Sequence, residues 1–377
     1  MTDTLAPTGP RRFTALDVFR GLTVFLMILV NTAGPGAPAY ATLVHAKWFG
    51  FTLADAIFPS FLFAMGNAMS FATRTRIDTA PYLTRLFKRG AIIFALGFLM
   101  YWFPFVMRTD DGWAPIPCAL TRVPGVLQRL ALCYVAAGLL VRWLDVRAIV
   151  IAGVVLLFGY WAILLVLSAP GMAYDKFGTI GTQLDLWLLS PGHLYKKDGG
   201  FDPEGLLGTL PAIVNVLAGY LVGLAVQRGA GLTRTVRMMA LYGVAFVLAG
   251  LAWSPWFPLA KKLWTSSYVL LTIGIDCIVL AGIIALIEIA GVKRGTRFFT
   301  ILGRNPLAVY LFSELFVTAI NLIPVGEDGG LYGWVGIEIF QRIAPGAFGS
   351  LLCALAYTML CWAVGWWMDR KGLILKA

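Results

Sequence analysis

Residues 31–66 read NTAGPGAPAYATLVHAKWFGFTLADAIFPSFLFAMG, and this stretch joins two hydrophobic segments. Between them lies a short loop carrying His45 and Trp48, with Asp55 ten residues beyond the histidine at the mouth of the second segment. His45 is one of only two histidines in 377 residues. The flanking runs are long enough to span about 30 Å of hydrocarbon as helices, so the stretch reads as a loop at a membrane surface. An imidazole beside an aspartate there suits proton transfer, because its unperturbed pKa lies near neutrality. Taken alone, a loop histidine is more often an ordinary surface residue.

Composition agrees with a membrane reading. A hydrophobic fraction of 59%, only 13% charged residues and a mean hydropathy of +0.80 exclude a soluble globular domain. The pI near 9.6 invites a nucleic-acid partner, but the basic residues are distributed as a membrane topology distributes them, so none is expected. Met1 to Pro10 shows no basic leader region and no small-residue cleavage motif, and Arg11-Arg12 reads as the cytoplasmic flank of an uncleaved first helix. Of five cysteines, Cys133, Cys277, Cys353 and Cys361 fall in apolar runs and only Cys118 in a loop. Their spacing fits neither a metal site nor a disulfide framework.

Apolar runs occur at about 14–34, 53–73, 86–105, 124–142, 147–167, 205–227, 235–253, 266–291, 302–323 and 348–369. The expected fold is an all-α polytopic membrane protein with about ten transmembrane helices. An even count puts both termini on one side. Eighteen Lys and Arg residues fall in one set of loops and nine in the other, which makes the first set, and both termini, cytoplasmic. His45, His193 and the long 168–204 segment then face outward. The division expected is a cytoplasmic tail at 1–12 and a single transmembrane domain at 13–377. The 168–204 segment, rich in Gly, Pro and aromatics, is expected to form a structured lid. No internal repeat of the transporter kind is visible.

Charges at bilayer depth are costly and usually face the bundle interior or a wet cavity. Asp17 and Arg20 stand i,i+3 and can pair on one helical face. Glu288 reads as structural, Asp276 needs an internal partner, and Glu314 lies within the ninth run. Arg20, Arg129 and Arg304 are read as lying toward the cytoplasmic halves of their helices, where converging arginines would suit a phosphate-bearing ligand.

The blocks LDVFRGLTVFLMILVN (16–31) and HAKWFGFTLADAIFPSFLFAMG (45–66) are followed in order by RVPGVLQRLALCY (122–134), FDPEGLLGTLPAIV (201–214), LWTSSY (263–268) and LGRNPLAVY (302–310). This pattern resembles heparan-α-glucosaminide N-acetyltransferase and its bacterial relatives, over nearly everything after the first dozen residues. The resemblance implies a membrane acyltransferase that takes acetyl-CoA from the cytosol and acetylates the amine of a terminal glucosamine across the membrane. It places the family's functional histidine on His45, its asparagine on Asn31 and the aspartate of the ADxxFP block on Asp55. The lysosomal enzyme has HASWNG where this chain has HAKWFG, so Lys47 and Phe49 alter the outer pocket. That change, and an expected lack of the large luminal domain and preceding helix, favour a small amino sugar over polymeric heparan. The implied location is a bacterial inner (plasma) membrane, in contact with lipid, and a homodimer is allowed.

In such a reaction His45 takes the proton of the attacking amine and Asp55 orients the imidazole. Asn31 donates to the thioester oxygen, or simply caps its helix. Direct transfer and an acetyl-histidine intermediate fit equally well; direct transfer leaves histidine a single role. Arg20, Gln128, Arg129, Arg304 and Asn305 are the candidate contacts of CoA, with no metal. Asp202 and Glu204, read as starting a helix, and Trp48, Trp264 and Tyr268 are the candidate contacts of the amino sugar. The alternative is a sugar or organic-acid permease using the intramembrane charges as a relay. A structural membrane subunit explains neither His45 nor the arginines.

Overall fold

A computed structural model describes residues 13–72, 78–109, 112–228, 231–325 and 330–375. The 1–12 tail and Arg74, Arg76 and Lys376, which entered the charge count, lie outside the described residues. In chain order come α1 (Thr14–Asn31), α2 (Leu53–Ala72), α3 (Thr79–Trp102), α4 (Val126–Trp143) and α5 (Val146–Leu167). A short α6 (Ile180–Leu189) sits within the long loop, followed by α7 (Thr209–Arg228), α8 (Leu232–Trp253) and α9 (Ser266–Ile284), which a π-helical turn extends to Ile289. Then come α10 (Thr296–Arg304), α11 (Pro306–Ile320), the short α12 (Leu331–Trp334) and α13 (Gln341–Ile343), and α14 (Ala347–Arg370). A two-stranded antiparallel hairpin, β1 (Val106–Thr109) with β2 (Gly112–Pro115), lies between α3 and α4.

Seven of these are long and apolar enough to cross a membrane: α1, α4, α5, α7, α8, α9 with its extension, and α14. α2 and α3 have the length, 20 and 24 residues, but Asp55, Pro59 and Asn67 in one and Arg85, Lys88 and Arg89 in the other lower their hydropathy. The run expected at 302–323 is divided. Pro306 has no N–H to continue the ladder, and the chain breaks at Asn305, in a non-helical conformation with φ of −129° and ψ of 50°, between α10 and α11. The chain is an all-α polytopic membrane protein.

Small residues set the close crossings. A Cβ on Gly66 would come within 1.9 Å of the Val216 carbonyl, and one on Gly219 within 2.0 Å of that of Phe63. The backbones of α2 and α7 therefore touch, as glycine permits between membrane helices. Gly21 and Gly303 do the same for α1 and α10, against Phe299 and Asp17 carbonyls at 1.8 and 2.0 Å. α1, α2, α7 and α9 form the centre. At the periphery only 28% of the α5 span and 22% of the α8 span is buried, and apolar side chains such as Val155, Val166, Leu241 and Leu248 are exposed. These faces suit hydrocarbon.

The bundle has two distinct ends. Near Asp17, Glu288 accepts from the Ala15 N–H at 3.2 Å. The opposite end carries the 32–52 loop and the 168–208 segment. There Trp48 Nε1 donates to the Tyr174 carbonyl at 3.0 Å, and Lys176 and Lys262 both pair with Asp198, the latter at 2.5 Å.

Candidate active site

Asp55 is placed by the start of α2. Thr52 precedes the helix and Asp55 is its third residue, the spacing of a capping box. Asp55 Oδ2 accepts from the Thr52 N–H at 3.0 Å, the Thr52 hydroxyl at 3.0 Å and the Ala46 N–H at 3.2 Å. Its Oδ1 lies 2.9 Å from His45 Nδ1, and the carboxylate is fully buried while the imidazole is 39% exposed. A carboxylate only accepts, so Nδ1 carries the proton and the lone pair lies on Nε2. Pro59 removes the N–H that would bond the Asp55 carbonyl four residues earlier. The buried Tyr268 hydroxyl donates to that carbonyl instead, at 2.6 Å.

Asn31 ends α1, and its side chain does not cap the helix. Nδ2 donates to Glu314 Oε1 on α11 at 2.9 Å. Asn31, His45 and Lys261 line one void of about 40 Å³, with Met27, Ile57, Phe58 and Val126. Lys261 Nζ lies 3.0 Å from His45 Nε2. No local sequence pattern points to Lys261 or Glu314 as site residues; 216 and 283 positions separate each from the residue it touches.

A larger cavity of about 320 Å³ opens toward the Asp17 end. Arg20, Arg85 and Arg89 border it, and Arg89 stacks on the Tyr134 ring at 5.1 Å. Arg20 Nη2 also holds Asp17 Oδ1 at 2.6 Å. The helix α3 starts at Thr79, seven residues before the expected 86, which puts Arg85 and Arg89 one turn apart on a helix rather than in a loop. One α2 stripe lines both spaces: Ala54, Ile57 and Phe58 at the small void, Phe61, Ala64, Met65 and Ala68 at the large cavity. On α4, Val126 borders the first and Leu130 and Tyr134 the second.

Several expected site residues stand elsewhere. α4 runs from the His45 end toward the Asp17 end, so its early residues Gln128 and Arg129 lie with His45 and not beside Arg20. Arg129 is buried, donates to the Gly205 carbonyl at 2.8 Å and stacks on Trp264 at 4.9 Å. Arg304 pairs with Asp369, and the Asn305 amide bonds the Leu373 carbonyl at 2.8 Å and the Leu375 N–H at 3.0 Å. Both tie down the end of the chain.

On the sugar side, Asp202 and Glu204 do not begin a helix, since α7 starts at Thr209. Both are buried and bound by Arg122, at 2.5 Å each from Nη2. Tyr101 and Tyr195 cover the guanidinium at 5.0 and 4.5 Å. Burial opposes the Arg122 charge, but these carboxylates hold its pKa above the usual arginine value. Trp264 and Tyr268 are fully buried and closed to a sugar; Trp264 packs on Phe58 at 5.1 Å and Tyr268 at 5.4 Å. Trp48 meets Phe201 edge-on at 5.0 Å, bracing the outer segment. Among the described residues no group of three or more His, Cys, Asp or Glu side chains is placed to hold a metal ion.

Fold and site define a polytopic α-helical membrane protein with an imidazole–carboxylate pair at a small void and three arginines around a separate, larger cavity. The family model described as heparan-alpha-glucosaminide N-acetyltransferase, catalytic, matches residues 12–245, and the chain belongs to that family. It is 26% identical over 368 residues to heparan-alpha-glucosaminide N-acetyltransferase of Homo sapiens, covering 81% of this chain and 53% of that protein. To the Mus musculus protein of the same name it is 26% identical over 365 residues, covering 82% and 54%. The chain spans about half the length of these curated relatives.

Proposed function

We propose that this protein is a transmembrane N-acetyltransferase. It moves the acetyl group of cytosolic acetyl-CoA, admitted at the Asp17 end, to the amine of a glucosamine-type sugar at the His45 end, across a bacterial inner membrane. The observation that carries this reading is the shared void in which Asn31 and His45 meet, with His45 Nδ1 held by buried Asp55 at 2.9 Å. That geometry leaves Nε2 free of Asp55 and suited to take a proton from an amine.

Arg20, Arg85 and Arg89 are the groups that would meet the CoA phosphates, since arginine is well matched to phosphate. The pantetheine arm follows the apolar α2 stripe toward the small void. Glu314 accepts one N–H of Asn31 and so turns the amide; the second N–H is left to meet negative charge on the thioester oxygen. Lys47 and the exposed Phe49 follow His45 in the same loop, and their replacement of the smaller residues of the lysosomal enzyme supports a small amino sugar as acceptor.

Purified protein supplied with radiolabelled acetyl-CoA and glucosamine tests the reading. Labelled N-acetylglucosamine is expected. A protein that moves sugar across a vesicle membrane and forms no acetylated product would be a permease.

A further inference from the structure

Lys261 covers the atom the chemistry needs. Its Nζ lies 3.0 Å from His45 Nε2 and 3.3 Å from Nδ1, and its side chain lines the same void as Asn31 and His45. A tight turn sets it there. Trp264, at φ of +56°, returns its N–H to the Lys261 carbonyl at 3.0 Å. The neighbouring Lys262 points away and binds Asp198 at 2.5 Å, so only one of the two lysines reaches the void.

Acetyl transfer requires two proton movements. The amine must lose a proton, and the sulfur that departs with the C–S electron pair must gain one. His45 provides for the first; while its Nε2 is engaged with the amine proton, Lys261 is the other ionisable side chain lining the void and can provide for the second. We propose that Lys261 is the acid of the reaction, its ammonium protonating the departing thiolate while His45 accepts the amine proton. The assignment rests on the acetyl-transfer reading above.

The step balances. An incoming amine displaces Nζ from Nε2 into the void. The amine nitrogen bonds to the acetyl carbon, the C–S bond breaks with its electron pair going to sulfur, and Lys261 gives sulfur a proton. His45 Nε2 takes the proton from nitrogen. Nζ, now a neutral amine, returns to Nε2 and takes that proton back, so both residues are restored. The products are the acetamide and the free thiol.

The surroundings suit an acid. Burial lowers the Lys261 pKa below the ordinary lysine value, Arg129 and Lys262 act in the same direction, and Glu204 and Asp55 oppose them. The lowering brings the ammonium nearer a thiol, whose ordinary pKa is about 8.5. The two carboxylates favour the charged form, in which the nitrogen has no lone pair with which to attack the thioester itself.

Lys261→Ala and Lys261→Arg, each assayed with acetyl-CoA and with S-acetyl-4-nitrothiophenol, test the assignment. Arginine keeps the charge and the donors but does not release its proton. Both variants are expected to bind CoA normally and to lose about 10²–10⁴ in acetyl transfer from acetyl-CoA. The deficit should shrink by roughly tenfold or more with the aryl thioester, whose thiolate leaves without a proton. His45→Ala should stay impaired with both donors. A near wild-type Arg variant would reduce Lys261 to a fixed charge, and equal deficits with both donors would reduce it to a structural part. Either result overturns the assignment. If wild-type protein does not use the aryl thioester, the Ala and Arg variants on acetyl-CoA decide. A wild type that transfers from neither donor sinks the acetyl-transfer reading and this assignment with it, an outcome distinct from the failure of Lys261 alone.

Discussion

Tyr268 donates its hydroxyl at 2.6 Å to the Asp55 carbonyl, the carbonyl that Pro59 leaves without a helical donor. A residue of α9 thus repairs the break in α2 next to the candidate catalytic pair. Removing the hydroxyl orphans a buried carbonyl, at a cost of about 1–3 kcal/mol. Tyr268→Phe should therefore lower the thermal midpoint and slow acetyl transfer while leaving CoA affinity unchanged. Unchanged stability would show that the carbonyl finds another donor.

The start of α2 was legible in sequence, and the contacts around it were not. Alternation of apolar runs with short loops located helices at all ten positions, because a membrane span must satisfy its backbone internally. His45 and Asp55 stood out because they lie ten residues apart in one loop and helix start. Arg122 with Asp202 and Lys261 with His45 join residues 80 and 216 positions apart, and no local pattern announces such pairs. Arg129 is a different case. Spans alternate in direction, so the opening residues of the fourth must lie with His45, but buried charge alone carries no depth.

Arg85 and Arg89 mark the donor end in this account. Losing one charge-assisted contact costs about 1.5–3 kcal/mol, or roughly ten- to hundredfold in affinity. Arg85→Ala and Arg89→Ala should weaken CoA binding by that amount in titration calorimetry. Arg129→Ala should lower stability and leave CoA affinity intact. The reverse pattern would move the donor site to the His45 end.

Asp185 in α6 predicts a pH response. Burial pushes its carboxyl up to about 6 from 3.8; nearby Asp202 adds to this, while the Leu206 N–H and Arg129 oppose it. The protonated form is favoured on folding, so its stabilising contribution is full below pH 3.8 and lost as pH rises through about 6. The span is at most about 3 kcal/mol. The thermal midpoint should fall between pH 4 and 7 relative to Asp185→Asn, which should be the more stable protein at pH 7. Parallel curves for the two would place the titration elsewhere.

The loop charges predict sidedness. Single cysteines at Lys47 and Arg147, on a cysteine-free background, can be labelled in intact cells with an impermeant maleimide. Reaction at position 47 and protection at 147 are expected. The opposite pattern would invert the direction of transfer.

The central claim is that His45 is the base. His45→Ala, purified and assayed for transfer from acetyl-CoA to glucosamine, measures it most directly, with CoA affinity determined on the same preparation. The account predicts intact CoA binding and a transfer rate lowered by about 10²–10⁴, the usual worth of general-base catalysis. A folded His45→Ala protein that transfers acetyl at close to the wild-type rate would contradict it.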